Sequence, residues 1–214
     1  MNAIEVNGAG KSYYRSWLFK DVNFKFDLSP SQKFAFLGNN GSGKSTFLLM
    51  LCGQITPTIG SVNWNVEGKN LKENIWHQNY ALSSPGMELP EELNLYEWFS
   101  FIQKVKPLKK EIELGYIAEI CKFNQKTLLK PIANYSSGMK QRVKLCGNLL
   151  SAVPVSFLDE PLSNLDTDGI ELYHKLIEME EANRSIFIAS NDEKEYDFVS
   201  NQYKIADKQI IQVQ

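Results

Sequence analysis

The chain has 214 residues, 43% hydrophobic and 22% charged, with a formal net charge of −2. That length suits one large domain, the composition suits a soluble globular protein, and the near-neutral charge excludes a general attraction to nucleic acid. No apolar run approaches the ~18–20 residues that span a bilayer, and the opening Met-Asn-Ala-Ile-Glu-Val lacks the basic and apolar regions of a signal peptide. Cys52, Cys121 and Cys146 form no Cys-x-x-Cys pair, and their odd number and wide spacing predict buried reduced thiols. A cytoplasmic protein is expected; if it acts on a membrane, other subunits must supply the spanning part.

Residues 3–6, 22–28 and 33–37 read as short strands, with Val22, Phe24 and Phe26 alternating. Between the first two, Gly-Ala-Gly-Lys-Ser (8–12) resembles half of a phosphate loop. Glu5 occupies the position of the loop's first glycine and no helix-type run follows, so this stretch is expected to be a turn. Ser-Pro-Ser (29–31) marks the turn before the third strand.

Gly-Asn-Asn-Gly-Ser-Gly-Lys-Ser-Thr (38–46) then completes G-x-x-x-x-G-K-[ST], with an apolar strand run before it and a helix-compatible run after it. Gly38, Gly41 and Gly43 let the backbone turn and aim its N–H groups at phosphate oxygens, together with those of Asn39, Asn40, Ser42 and Thr46. Lys44 can reach the β- and γ-phosphates of a nucleotide and Ser45 can ligate Mg²⁺.

Residues 61–66 and 79–83 are further strand candidates. Leu95, Trp98, Phe99 and Ile102 mark one helix face, with Asn94 and Glu97 as an N-cap pair. The Lys-Pro-Leu-Lys-Lys run (106–110) ends that helix as a solvated loop. Helices are expected over 111–122 and from Ser136 or Ser137 onward, the latter presenting Met139, Val143, Cys146 and Leu150. Val153–Leu158 is a strand with Pro154 near its start, Asp168–Ala182 a helix and Ser185–Ser190 a strand. Residues 204–206 and 209–213 close a hairpin around Asp207–Lys208. An α/β core carrying an inserted helical lobe at about 93–150 is predicted.

Val-Ser-Phe-Leu-Asp-Glu (155–160) puts Asp159 at a strand's C-terminal tip, where it can hold the Mg²⁺ shell. Glu160 adds a carboxylate able to polarise an attacking water. Tyr-Ser-Ser-Gly-Met-Lys-Gln-Arg (135–142) opens a helix and offers a second anion site; taken alone, a plain serine N-cap accounts for it.

The order of these motifs resembles the nucleotide-binding domain of an ATP-binding cassette (ABC) ATPase over nearly the whole chain. Residues 38–46 match the Walker A loop and residues 155–160 match Walker B with its catalytic glutamate. Residues 135–142 resemble the signature Leu-Ser-Gly-Gly-Gln, with Tyr135 for Leu, Ser137 for the first Gly and Met139 for Gln. Ser163-Asn164-Leu165-Asp166 matches the D-loop. Tyr13 sits where the family stacks an aromatic on adenine, with Tyr14 as the alternative.

The resemblance implies a P-loop NTPase core over about 1–92 and 151–214, with a mostly parallel sheet, an antiparallel β-subdomain and a helical signature lobe over about 93–150. It implies ATP and Mg²⁺ as ligands, and head-to-tail pairing with a like or different ABC subunit. Ser136, Ser137, Gly138 and Asp166 would then approach the partner's nucleotide. Two positions depart from the pattern. Asn191 stands at the switch histidine, and asparagine donates a hydrogen bond but carries no proton. Ser84 stands at the Q-loop glutamine and can reach the metal only through water. Both substitutions point to slow hydrolysis with nucleotide binding retained.

The leading expectation is the ATP-hydrolysing subunit of an ABC transporter, peripheral at the inner membrane face and docked on separate transmembrane permease subunits. The alternatives are a slow nucleotide-gated regulatory dimer and a non-transport ABC ATPase. A single cassette without sustained heptads disfavours the nucleic-acid members of the family, and no nucleic-acid partner is expected.

Overall fold

The computed structural model describes residues 2–108, 113–180 and 184–214. Two sheets organise it. The first is antiparallel and is built from β1 (Ala3–Tyr13), β2 (Ser16–Asp27), β4 (Ile59–Val66) and β5 (Lys69–Asn70), in the order β2-β1-β4-β5. The second holds β3 (Lys33–Leu37), β6 (Tyr80–Ser83), β7 (Val155–Asp159), β8 (Ser185–Ser190), β9 (Asn201–Ala206) and β10 (Gln209–Gln212). Its order is β10-β9-β3-β8-β7-β6, parallel from β9 to β6, with β10 antiparallel at the edge.

Period-two alternation decides which layer each side chain joins. Phe34, Phe36, Phe157 and Phe187 point to one face, where they meet the antiparallel sheet and α1 (Lys44–Leu51). Phe26 is the hub of that layer, with ring centroids 5.3 Å from Phe34, 5.8 Å from Phe36, 5.6 Å from Phe187 and 5.4 Å from Tyr203. Such edge-to-face packing adds to the ~1.5–3 kcal/mol gained by burying each ring. Ala35, Leu158, Ile186 and Ile188 point to the opposite face. There they meet residues of α2 (Leu95–Val105), α3 (Leu114–Ile120), α4 (Gln125–Leu128), α5 (Ser137–Leu149) and α6 (Thr167–Glu180).

Local chemistry explains several of these elements. Asn94 and Glu97 form a capping box at the start of α2, the Asn94 Oδ1 accepting from Glu97 N at 3.0 Å and Glu97 Oε2 from Asn94 N at 2.9 Å. Asp207 and Lys208 both have positive φ (50° and 63°), which gives the β9–β10 hairpin the tight turn that matches strand twist. All three thiols are free and buried.

The structure corrects four expectations. Gly8–Ser12 is not a turn: it continues β1, pairing Ala9 with Val22, Lys11 with Phe19 and Gly10 with Ile59. The glycine at position 8 (φ +55°) sits at a bulge in the register, so the chain stays in the sheet. The turn lies instead at Tyr14–Arg15, and β2 begins at Ser16, well before residue 22. Lys106 is not solvated; its ammonium donates to the Tyr80 carbonyl and lies 5.3 Å from the Tyr80 ring centroid. Lys109 and Lys110 fall outside the described residues, as do residues 111–112 and 181–182 at the expected helix ends. Finally, β7 starts after Pro154 and runs to Asp159, leaving the proline's missing N–H outside the ladder.

Candidate functional site

Four neighbouring parallel strands, β3, β8, β7 and β6, end on one edge of the large sheet. In that order they deliver the loop 38–43, Asn191, the pair Asp159–Glu160, and Ser84. Carboxyl ends of parallel strands are where open α/β sheets gather ligands.

The loop after β3 folds back so tightly that Gly38 (φ +151°) tolerates no side chain. A Cβ there would lie 2.5 Å from Ile205 O and 2.7 Å from Ser42 Oγ. The loop leads into α1, whose N-terminal end presents unpaired backbone donors and a partial positive charge. Lys44 is the first residue of that helix, and its Nζ donates to Gly38 O at 2.9 Å and Asn39 O at 3.2 Å. The buried ammonium thus spans the inside of the loop. Ser45 Oγ donates to Asp159 Oδ1 at 2.8 Å, joining the loop's helix to the acid at the tip of β7.

Burial pushes the Asp159 carboxyl up to about 6; the Ser45 hydroxyl and the Lys44 charge oppose that rise, and Glu160 adds to it. A hydroxyl and a carboxylate held together at a half-dry edge form an oxygen-only donor set, which suits a hard divalent cation such as Mg²⁺. The glycine cradle and the buried ammonium suit a polyphosphate.

A cavity of 180 Å³ lies over this loop, lined by Leu18, Asn40, Gly41, Gly43, Lys44, Ser45, Thr46 and Glu160. Glu160 holds a left-handed φ of 44°, and its N–H donates to Ala189 O at 2.9 Å. Asn191 Nδ2 donates to Asn40 Oδ1 at 3.0 Å, so the loop after β8 touches the loop after β3. Ser84 is buried directly after β6, and its carbonyl accepts from Lys144 Nζ at 3.2 Å. Tyr13 stands apart from the cavity lining, at the end of β1, with Lys11 Nζ 5.1 Å from its ring centroid. Tyr14 is fully exposed at the hairpin tip.

A second cluster gathers at the start of α5. Ser136 Oγ caps that helix by accepting from Met139 N at 3.2 Å. Ser136, Ser137, Gly138, Asn164 and Asp166 line a 360 Å³ cavity that shares no residue with the first. Gly138 lies so close to the 163–166 loop that a Cβ would stand 2.7 Å from Asn164 O. Asp166 accepts hydrogen bonds from the Arg142 guanidinium and the Gly169 N–H, and these bonds, the Arg142 one first, hold its carboxyl below the usual range.

Sequence reasoning missed Leu18, which lines the loop cavity from β2. It also missed Arg142, which ties Asp166 to Cys121 O at 2.9 Å. No spacing rule marks either residue, because both act through partners distant in the chain.

The family model described as ABC transporter matches residues 19–163. The "Probable ATP-binding protein YbiT" of Escherichia coli O157:H7 is 32% identical over 83% of this chain and 31% of its own length. The bacitracin transport ATP-binding protein BcrA of Bacillus licheniformis is 33% identical over 79% of this chain and 56% of its own. The chain thus spans about a third and just over half of these relatives. A dimeric, post-hydrolysis ATP-binding cassette bound to ADP and phosphate superimposes with a TM-score of 0.79 at 16% identity, covering 99% of both chains. That likeness concerns the fold, which is that of a P-loop NTPase cassette. With a glycine-cradled lysine after β3, an acid at the tip of β7 two strands along the sheet and a family model that matches residues 19–163, this chain belongs to the ABC transporter family.

Proposed function

We propose that this protein binds and hydrolyses ATP as the motor subunit of a membrane transporter. The observation that carries the reading is the 2.8 Å contact between Ser45 Oγ and Asp159 Oδ1. It brings the two halves of a nucleotide–metal site, 114 residues apart in sequence, to one point. Lys44 would exchange its bonds to the Gly38 and Asn39 carbonyls for phosphate oxygens. Backbone N–H groups of residues 39–46 would orient the triphosphate, and Tyr13 would stack on the base. Ser45 and Asp159 would hold Mg²⁺, with Ser84 reaching it through water; the ion supplies charge neutralisation at the β- and γ-phosphates. Glu160 would accept a proton from the attacking water, and Asn191 would donate to the γ-phosphate.

The second cavity supports a dimer. Ser136, Ser137, Gly138 and Asp166 share no lining residue with the loop cavity, so they suit the nucleotide of a second subunit placed head to tail. The single cassette is then core at about 1–92 and 151–214 plus helical lobe at about 93–150. The likeness to a bacitracin transport protein supports a role in transport, with separate permease subunits at the inner face of the membrane. No helix among the described residues is long and apolar enough to cross a membrane.

Asn191 and Ser84 favour a second reading, a slow nucleotide-gated switch. Steady-state phosphate release by the wild-type protein and Glu160→Gln separates the two. Motor function requires the variant to fall by about a hundredfold or more; equal rates select the switch.

A further inference from the structure

A buried carboxylate lies behind the proposed site and takes no part in it. Glu195 sits in the short turn after β8 and is 3% exposed. Its Oε1 accepts from the backbone N–H of Leu162 at 2.7 Å. Its own carbonyl accepts from Tyr173 Oη at 2.6 Å, which anchors the turn to α6.

The loop that Glu195 grips is strained. Glu160 and Asn164 both hold left-handed φ angles, 44° and 63°. Such conformations persist only where the surroundings over-determine them. Three contacts do so here. Glu160 N donates to Ala189 O at 2.9 Å, Gln141 Nε2 donates to Pro161 O at 3.0 Å, and Leu162 N donates to Glu195. The third joins the β7 loop to the turn that follows Asn191.

We propose that Glu195 is a positioning residue whose carboxylate, by holding the Leu162 N–H, fixes the shape of the 160–166 loop and hence the direction in which Glu160 presents its carboxylate. The kinetic half of this inference rests on the ATPase reading; the structural half does not. Burial pushes the Glu195 carboxyl up to about 7, with the Asp192 and Glu160 charges adding to the rise and the Ser190 hydroxyl and Leu162 N–H opposing it. The molecule therefore tolerates an unfavourable buried acid at this point, as expected of a group kept for its geometry.

The test compares Glu195→Leu, which keeps bulk but accepts no hydrogen bond, with Glu195→Gln, which keeps an acceptor. Hydrogen exchange of the nucleotide-free chain reads the clamp directly. The Leu162 amide should exchange at least tenfold faster in the Leu variant and at nearly the wild-type rate in the Gln variant. In steady-state hydrolysis the Leu variant should lose about tenfold in kcat with KM within twofold, and the Gln variant should stay within about threefold. Adding Glu195→Leu to Glu160→Gln should cause no further loss, because the effect passes through Glu160. Unchanged Leu162 exchange, equal damage from Leu and Gln, or a loss confined to KM overturns the inference. If wild type and Glu160→Gln hydrolyse equally, the ATPase reading falls, and the exchange result alone decides whether Glu195 clamps the loop.

Discussion

The side-chain amide of Asn191 donates to the Asn40 side-chain carbonyl at 3.0 Å. This bond fastens the loop after β8 to the loop after β3, where related proteins are expected to present a histidine. Asparagine can orient a γ-phosphate but cannot shuttle a proton. Asn191→His should therefore raise steady-state phosphate release by about a hundredfold, the low end of general acid–base effects. An unchanged rate would show that another step limits turnover.

Lys44 is held by the carbonyls of Gly38 and Asn39. Removing the ammonium leaves the fold's apolar layers untouched but strips the cradle of its fixed charge. Lys44→Ala should weaken ATP binding by about a hundredfold, the upper range for a charge-assisted hydrogen bond. Titration with a fluorescent ATP analogue measures this, and the urea midpoint should stay close to wild type. Retained affinity would remove the loop from the nucleotide site.

Tyr13 and Tyr14 compete for one role. Tyr13 ends β1 opposite Ser16, whereas Tyr14 stands free at the tip. Tyr13→Ala should weaken nucleotide binding several-fold, as expected for one lost aromatic stack of ~0.5–1.5 kcal/mol, while Tyr14→Ala leaves affinity unchanged. The reverse result would shift the base platform by one residue.

Glu195 gives stability a pH dependence of definite sign. Its carboxyl rises from 4.5 when free to about 7 in the folded protein. Between those values the folded state binds more protons than the unfolded one, so this contribution is fully present below the lower value. It is lost as pH rises through the upper one. Glu195→Gln cannot titrate, and all other groups cancel in the comparison. Between pH 5 and pH 8 the wild type should lose stability relative to the variant by on the order of 2 kcal/mol. Urea denaturation at the two pH values checks this; parallel shifts would refute it.

The parts legible in sequence were those encoded by neighbours along the chain. The loop around Lys44, the Asn94–Glu97 capping box and the Asp207–Lys208 turn each depend on contacts within a few residues, so spacing alone announced them. Tertiary structure decided the rest. Gly8–Ser12 has the composition of a turn, yet pairing of Ala9 with Val22 and Gly10 with Ile59 holds it in the sheet. The order β3-β8-β7-β6 is written in no local pattern, and it alone sets Asn191, Asp159 and Ser84 in a row beside the loop. Nothing in the local sequence marks Glu195, because the N–H that it holds lies 33 residues away. Helix caps and tight turns are short-range hydrogen-bond problems with few solutions; strand order and buried polar contacts depend on which distant surfaces bury each other, and the chain specifies those only collectively.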